Sequence, residues 1–365
     1  MRIRYAALAV ILLCGLAAGG RAEEKVVEEI AFPHPYGSEA FAGFVEGSYR
    51  VTGAGSTENF SSWMEGSTLG AARAFSAGKL GSDWADLLER HRAALEQTKD
   101  PEERARKEMA LGVWLHAMVK SALPNYDLNR GFELAYAAQR QERQCLLQSI
   151  LISSLLQAMG VDAGTAMIYQ NREGQYTNNT HVVVMLKLAT GRDAVVDASY
   201  KETLVAHKGL MAMTDGRYRY VRPVYTNDYR EITAYREEPS RRMLEPKDVR
   251  PMDAAFVRSQ IDFYRGERAP GGVLARATSR AGLERSVRFF ESSLTHAARN
   301  PLPAYFLART YETQGRTGDA HQQYLAARGL YSQAGWIPNE LYRAINRTRP
   351  NDSVASGRGR RTGAL

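Results

Sequence analysis

Hydrophobic residues recur with the spacing of a helix in three stretches of the first half of the chain. In the first stretch, Trp84, Leu87 and Leu95 occupy positions i, i+3 and i+11, which share one helical face. Ser82 or Asp83 can cap the first turn by accepting a backbone hydrogen bond. This stretch therefore predicts an amphipathic helix.

The second stretch carries signals for both ends of a helix. Asp100 can serve as the N-cap, Pro101 suits the first helical position, and Pro124 ends the helix. Residues 109–119 are apolar almost all round, which is typical of a helix buried inside a domain. We therefore expect this helix to lie in the core.

The third helix starts at or near Cys145, and Gly160 ends it. After this glycine the hydrophobic period shortens to two, which predicts strands over residues 161–169, 181–188 and 193–198. A helix followed by antiparallel strands is an α+β architecture. The first half of the chain is therefore predicted to form an α+β domain.

Two regions of the second half also have a distinct composition. Arginine alternates with tyrosine between residues 216 and 236, which predicts strands that extend the same sheet, with tyrosine on one face. A ligand role for this alternation, by stacking and charge on a glycan or single-stranded nucleic acid, is the weaker alternative. Residues 237–251 hold three prolines and many charges, which is typical of a linker.

The segment 252–346 has helical patterning throughout. Small and aromatic residues recur between residues 304 and 327 as in a 34-residue helix-turn-helix unit, so this segment resembles tetratricopeptide repeats. A second unit is predicted from residues 253–265 and 282–299. Because each unit buries its face against a neighbour, we expect the two units to pack on the preceding domain or on a protein partner. A plain helical cap is the alternative to a peptide-binding groove.

The first 22 residues predict a cleaved export signal. Arg2 and Arg4 precede a short apolar run, and a small-residue cleavage site follows it. No later stretch reaches the roughly 20 apolar residues of a membrane helix, so the mature chain is expected to be periplasmic or secreted without a membrane span. We favour cleavage over acylation of Cys14 because Leu13 stands where a lipoprotein signal has a small residue.

Charge and composition add little about partners. Removal of residues 1–22 takes away three arginines and lowers the formal net charge from +8 to +5. Much of the remaining excess lies in residues 347–365, which are predicted to be a disordered tail. A mild excess in an exported protein gives no reason to expect a nucleic-acid partner. Residues 23–66 lack a clear period and are predicted to be an irregular or partly stranded lead-in to a domain over residues 23–236.

Cys145 is the only cysteine that remains after removal of the export signal, so it has no partner for an internal disulfide. At a helix N-terminus, unpaired N–H groups and the helix dipole stabilise a thiolate. An imidazole can activate the sulfur, and a third group can fix the imidazole tautomer. His181 starts one predicted strand and Asp197 ends the next, so antiparallel pairing places them side by side. The sequence therefore predicts a catalytic triad, with a small buried cysteine as the plain alternative.

Other site assignments are less determined. Asp193 is a rival third member, which we disfavour because it begins the strand whose other end meets His181. The backbone N–H of Cys145 is one candidate oxyanion donor, and Gln141 or Gln144 is a second. The seven histidines show no paired ligand spacing on one helix, and no glycine-rich phosphate loop occurs. We therefore expect neither a metal nor a cofactor.

Residues 105–200 resemble the transglutaminase-like superfamily of papain-type cysteine enzymes. In that family cysteine, histidine and aspartate follow in this order, at a helix start and on two successive strands. The resemblance implies that Cys145 is the nucleophile, His181 the general base and then acid, and Asp197 the orienting carboxylate. The segments that carry the resemblance are Gln144-Cys145-Leu146-Leu147, residues 155–163, Thr180-His181-Val182-Val183-Val184 and Val195-Val196-Asp197-Ala198-Ser199.

The chain departs from the family pattern at three positions. Arg143 stands where the family usually has glycine, Val183 where an aromatic residue is frequent, and Ala198 where proline is common. The implied function is an exported acyl-transfer enzyme that acts on peptide or side-chain amides through a thioester, as a protease, an amidase or a transglutaminase. The alternative is an inactive scaffold whose repeats mediate protein–protein interaction.

Overall fold

Helices precede and follow a seven-stranded antiparallel sheet in this computed structural model, which describes residues 33–74 and 83–350. All of these residues belong to one compact unit. The combination of helices, an antiparallel sheet and a helical C-terminal part confirms the expected mixed α and β class. The predicted export signal and residues 351–365 of the predicted tail lie outside the described residues.

The helices are numbered in chain order. Those before the sheet are α1 (Glu39–Thr52), α2 (Glu58–Trp63), α3 (Leu69–Ala74), α4 (Trp84–Gln97), α5 (Pro101–Ala122), α6 (Leu134–Arg140) and α7 (Cys145–Ala158). Those after it are α8 (Ala254–Glu267), α9 (Arg280–His296), α10 (Pro301–Thr313), α11 (Thr317–Ala334) and α12 (Asn339–Thr348). None of the described helices is long and apolar enough to cross a membrane.

The strands of the main sheet also follow chain order. They are β3 (Asp162–Gln170), β4 (Tyr176–Lys187), β5 (Asp193–Val196), β6 (Gly209–Thr214), β7 (Arg217–Tyr225), β8 (Ile232–Glu237) and β9 (Met243–Leu244). They are arranged as β5-β4-β3-β6-β7-β8-β9, and a further pairing of β5 with β8 curls the sheet back on itself. Two short strands before it, β1 (Asn125–Tyr126) and β2 (Glu142–Arg143), pair in parallel.

The three helices predicted in the first half are confirmed by their caps. Asp83 accepts a hydrogen bond from the backbone N–H of Asp86 at 2.9 Å, and Asp100 accepts one from Glu103 at 2.6 Å. Gly160 follows α7 with a φ of 82°, a left-handed conformation that ends a helix at little cost for glycine. These local signals fixed the helix boundaries correctly.

The lead-in predicted over residues 23–66 is mostly helical in its described part, residues 33–66, with α1 and α2 separated by a short connection. Phe41 and Tyr49 lie two turns apart in α1, and both are buried. Gly43 and Gly47 lie between them, and glycine lowers helix propensity by about 1 kcal/mol relative to alanine. Packing of the apolar face outweighs this local cost, which is why the expectation of an irregular segment was wrong.

The two faces of the sheet enclose separate cores. On β4, Val182 and Val184 join the core that α7 covers, whereas Val183 and Met185 join a second core inside the curled sheet. This alternation follows from the two-residue period of a strand. Because α7 lies between the sheet and the helices before it, nearly all of its side chains are buried.

Strands β7 and β8 confirm that residues 216–236 extend the sheet. The linker predicted over residues 237–251 is not a free connection, because β9 pairs with β8, and Leu244 and Val249 are buried. The prolines of this segment lie outside β8 and β9, so their missing N–H donors cost these strands no hydrogen bond.

The helical C-terminal part contains two packed pairs, α8 with α9 and α10 with α11. These pairs match the two predicted units in position. Thr348 is the last residue of α12 and is buried, so the start of the predicted tail at residue 347 falls inside this helix.

Candidate active site

Cys145 is the first residue of α7, and the chain before it is tightly constrained. The side chain of Gln144 accepts a hydrogen bond from the backbone N–H of Leu146 at 3.2 Å and so caps the helix. A Cβ at Gly131 would lie 2.3 Å from the carbonyl oxygen of Arg143, so only glycine allows this close approach. The thiol carries no disulfide, and the residue is 8% exposed.

The hairpin of β4 and β5 places His181 beside Asp197, as the sequence predicts. The imidazole Nε2 of His181 donates to Oδ2 of Asp197 at 2.6 Å. The Cys145 side chain lies near enough to the imidazole to raise the pKa of His181. The three predicted site residues therefore lie together. The His181 side chain is 21% exposed, whereas Asp197 is fully buried.

Opposite effects on ionisation act on these two residues. Burial alone would lower the pKa of His181, but hydrogen bonds to Asp197 and Cys145 raise it to about 10. Burial alone would raise the pKa of Asp197, but hydrogen bonds from His181 and His207 hold it well below the usual range. At neutral pH the carboxylate is therefore ionised and the imidazole is protonated.

His207 is a fourth member of this group, and sequence reasoning did not identify it. It lies in the connection between β5 and β6, is fully buried, and donates from Nε2 to Oδ2 of Asp197 at 2.8 Å. Its Nδ1 has no hydrogen-bond partner among the described residues. Two histidines therefore hold one carboxylate oxygen. A lone histidine in an aperiodic stretch has no spacing from which this contact could be inferred.

Within residues 33–74 and 83–350, His181, Asp197 and His207 form a group that could bind a metal. One ligand atom from each lies within 4.8 Å of the others, and two histidines with one carboxylate suit a divalent cation such as zinc. The set was not anticipated because its members come from β4, the end of β5 and a connection rather than from one helix. A cation here would displace the hydrogen bonds that orient His181.

Tyr264 of α8 brings the C-terminal helices into contact with the nucleophile. Its hydroxyl lies 3.8 Å from Sγ of Cys145. The tyrosine is fully buried, and burial raises its pKa well above the usual value, so the phenol is neutral. Phe132 stacks on the ring at a centroid distance of 5.4 Å. Sequence reasoning missed Tyr264 because helical periodicity does not reveal which distant residue a side chain meets.

The remaining candidates separate clearly in space. The rival carboxylate Asp193 pairs with Lys187 at 2.7 Å and accepts a hydrogen bond from Tyr235 at 2.7 Å, so it belongs to another cluster. Of the two glutamines considered as oxyanion donors, Gln144 lies beside the site, whereas Gln141 is an exposed residue at the C-cap of α6.

The Arg143 side chain binds the backbone of a neighbouring helix and does not hydrogen-bond Asp197. Its guanidinium donates to the carbonyl oxygen of Leu123, at the end of α5. Lys120, near the same end, donates to the carbonyl oxygen of Tyr200. Two cationic side chains therefore border the site on the side of α5.

The identity of the site rests on its geometry and chemistry. Four side chains from separate parts of the chain come together, namely one thiol, one ionised carboxylate and two imidazoles, and this constellation is suited to nucleophilic catalysis. No family model, curated protein or solved structure matches the chain.

Proposed function

We propose that the protein is an exported cysteine acyl-transfer enzyme that acts on peptide or side-chain amides through a thioester. One observation carries this proposal: His181 donates to Asp197 at 2.6 Å, and its pKa is raised in part by the neighbouring thiol, which begins a helix. The resemblance of residues 105–200 to transglutaminase-like enzymes, with their papain-type fold, supports the same roles.

The reaction follows from the positions of the three groups. The thiolate of Cys145 attacks the amide carbonyl carbon, and the carbonyl oxygen takes the negative charge of the tetrahedral intermediate. The His181 imidazolium then gives its proton to the departing amine as the C–N bond breaks, which leaves a thioester and a neutral imidazole. Asp197 holds the ring through Nε2, so that Nδ1 faces the reacting atoms.

The second half of the reaction resolves the thioester. Neutral His181 takes a proton from an attacking water or amine, and the C–S bond breaks to return the thiolate and the imidazolium. Water gives hydrolysis, whereas a lysine side chain gives a cross-link. The N-terminal N–H groups of α7, with that of Cys145 first among them, are our candidates to stabilise the oxyanion.

A second candidate function is an inactive scaffold whose C-terminal helices bind a partner protein. One observation favours it: Cys145 is only 8% exposed, and Tyr264 packs against its sulfur. In such a scaffold the thiol would be a buried side chain of ordinary reactivity.

Alkylation of Cys145 by iodoacetamide separates the two candidates. At pH 6 an ordinary thiol is well under 1% thiolate, so a sulfur activated by His181 should react roughly 100-fold faster than in the His181→Ala variant. His321→Ala, which removes a histidine on α11, is the matched control, and Cys145→Ala gives the background. Slow alkylation that is equal in wild type and His181→Ala would exclude the enzyme in favour of the scaffold.

Incorporation of a labelled amine, measured beside cleavage of a peptide pool, decides between transfer and hydrolysis. Both products should disappear in Cys145→Ala. A product that persists in Cys145→Ala would arise from other chemistry and contradict the proposal.

A further inference from the structure

A cavity of about 1050 Å³ opens between the N-terminal and C-terminal helices, close to the candidate active site. Residues of α1 and α6 line one side, and residues of α8 and α9 line the other. The lining contains more arginines than carboxylates: Arg50, Arg130, Arg258, Arg265, Arg268, Arg285 and Arg288, against Glu133, Asp262 and Glu267. This excess gives the cavity a positive potential that attracts a negatively charged ligand.

The carboxylates of the cavity are already engaged. Arg265 pairs with Glu133 at 2.7 Å and with Asp262 at 2.9 Å. Arg268 pairs with Glu267 at 3.1 Å. Two arginines therefore hold all three carboxylates, which leaves none to neutralise the rest of the lining.

Four arginines of the lining have no carboxylate partner within residues 33–74 and 83–350. Arg285 and Arg288 lie three residues apart on α9, and both are exposed. Arg50 is exposed at the end of α1, and Arg258 of α8 lies 5.5 Å from the ring centroid of Phe44. A planar guanidinium can bind a carboxylate through two parallel hydrogen bonds, so each of the four is suited to an acidic side chain.

The cavity is also lined by apolar and aromatic side chains. They come from both sides of it: Phe44, Phe132, Tyr136, Ile261 and Leu274. A small inorganic anion would leave this surface unused, whereas a peptide offers apolar side chains between its carboxylates. The lining therefore fits an acidic peptide segment.

Two aromatic side chains connect the cavity to the nucleophile. Phe132 lines the cavity and stacks on Tyr264 at 5.4 Å, and the hydroxyl of Tyr264 lies 3.8 Å from Sγ of Cys145. Arg268, which also lines the cavity, follows Tyr264 by one helical turn. Both rings are buried, so the cavity lies on the far side of these two side chains from the thiol, and a chain bound in it is held beside the candidate active site.

We propose that this cavity binds an acidic segment of the polypeptide substrate and thereby brings the amide that reacts close to Cys145. The proposal rests on the proposed function, because it takes the bound polypeptide to be the substrate of the acyl-transfer reaction. It adds a substrate class, namely polypeptides that carry glutamate or aspartate near the reactive amide.

Fluorescence anisotropy of a labelled peptide tests the proposal directly. The probe is a short peptide in which glutamate alternates with leucine, and its partner has glutamine at each glutamate. Binding is measured on the full chain with Cys145→Ser, so that no covalent product forms. We expect the glutamate peptide to bind at least about tenfold more tightly than the glutamine peptide, and Arg285→Glu with Arg288→Glu to remove about tenfold or more of this affinity.

The matched control is Arg280→Glu with Arg328→Glu, which changes the net charge equally but alters two arginines outside the cavity lining. We expect it to weaken binding by less than about twofold, since exposed charges far from the ligand are screened by salt. Equal loss in the two double variants, or equal binding of the two peptides, would overturn the proposal. Tighter binding of an oligonucleotide of the same charge would overturn it as well.

The two proposals can fail separately. If Cys145 reacts slowly while peptide binding depends on Arg285 and Arg288, the proposed reaction fails and the acidic-peptide site stands. If Cys145 is reactive while the acidic peptide fails to bind, the cavity assignment fails and the reaction stands.

Discussion

Two aspartates near opposite ends of the same short strand illustrate what distinguishes a reactive site from a structural one. Asp193 begins β5, Asp197 follows its last residue, and both are fully buried. Asp197 accepts hydrogen bonds from two histidines, one of which is partly exposed and reaches a thiol. Asp193 meets Lys187, whose ammonium also donates to the carbonyl oxygen of Val249.

The partners, and not the depth of burial, give the two carboxylates their different properties. For Asp193, burial outweighs Lys187 and Tyr235 and raises the pKa to about 6. For Asp197, hydrogen bonds from the two histidines outweigh burial and lower the pKa. A buried aspartate therefore indicates a candidate active site only when the residue that it binds also contacts a reactive atom, as His181 does.

The largest expected effect comes from substitution at Asp197. Asp197→Asn removes the negative charge that orients the His181 imidazole and stabilises its protonated form. Turnover should therefore fall by roughly 10²–10⁴-fold, as for loss of a general acid–base group. Iodoacetamide alkylation of Cys145 at pH 6 should slow in the same variant. Asp193→Asn is the matched control and should leave the alkylation rate within about twofold. If the two substitutions slowed alkylation of Cys145 equally, Asp197 would have no special role in activating the thiol.

Lys187→Met should act on stability and not on reactivity. It leaves the carboxylate of Asp193 buried without its cation, and breaking a buried pair in this way costs about 3–5 kcal/mol of unfolding free energy. Urea denaturation at pH 8 measures the change. Lys247→Met, at a lysine whose side chain is 74% exposed, should leave the urea midpoint essentially unchanged. A stable Lys187→Met protein with slow Cys145 alkylation would place Lys187 in the reactive group instead.

The two carboxylates should affect stability in different pH ranges. The pKa of Asp193 is higher in the folded protein than in the unfolded chain, so the folded state binds more protons between about pH 4 and 6, and stability falls as the pH rises through this range. Relative to Asp193→Asn, wild type should lose about 2–3 kcal/mol between these pH values. Asp197, with its lowered pKa, contributes stability that is lost only below about pH 4. Parallel stability curves for wild type and Asp193→Asn would contradict this assignment.

His207 should have a smaller effect, because it acts through Asp197. His207→Ala removes one hydrogen bond to the carboxylate, and such a bond to a charged group contributes about 1.5–3 kcal/mol. We expect alkylation of Cys145 at pH 6 to slow by about tenfold or more, with the pH at which the rate is half-maximal moved upward. His207→Gln, which keeps an N–H donor, should restore most of the rate. A loss of stability without any shift of the pH profile would make His207 purely structural.

The sequence predicts those parts of the fold that local signals determine. The caps at Asp100 and Gly160 define helices because each satisfies backbone groups within a few residues of itself. The pairing of His181 with Asp197 could be predicted because a hairpin brings successive strands together. The site residues supplied by neighbouring elements in the chain were therefore accessible to sequence reasoning.

The parts that sequence reasoning missed depend on distant contacts. Tyr264 is 119 residues from Cys145, and His207 lies in a connection without a hydrophobic period. The glycines of α1 and the prolines beside β9 gave misleading local signals, because tertiary packing outweighs weak propensities. The excess of arginine around the cavity could not be predicted either, since the arginines that line it come from helices far apart in the chain.

The ionisation of Cys145 tests the central claim most directly. Thiolate absorbance near 240 nm can be followed from pH 4 to 10, with Cys145→Ala as the blank and His181→Ala as the comparison. If His181 and Asp197 activate the sulfur, wild type should show a thiolate already at pH 6, and His181→Ala should show one only above about pH 8. A thiolate that appears only above about pH 8 in both proteins would contradict the account.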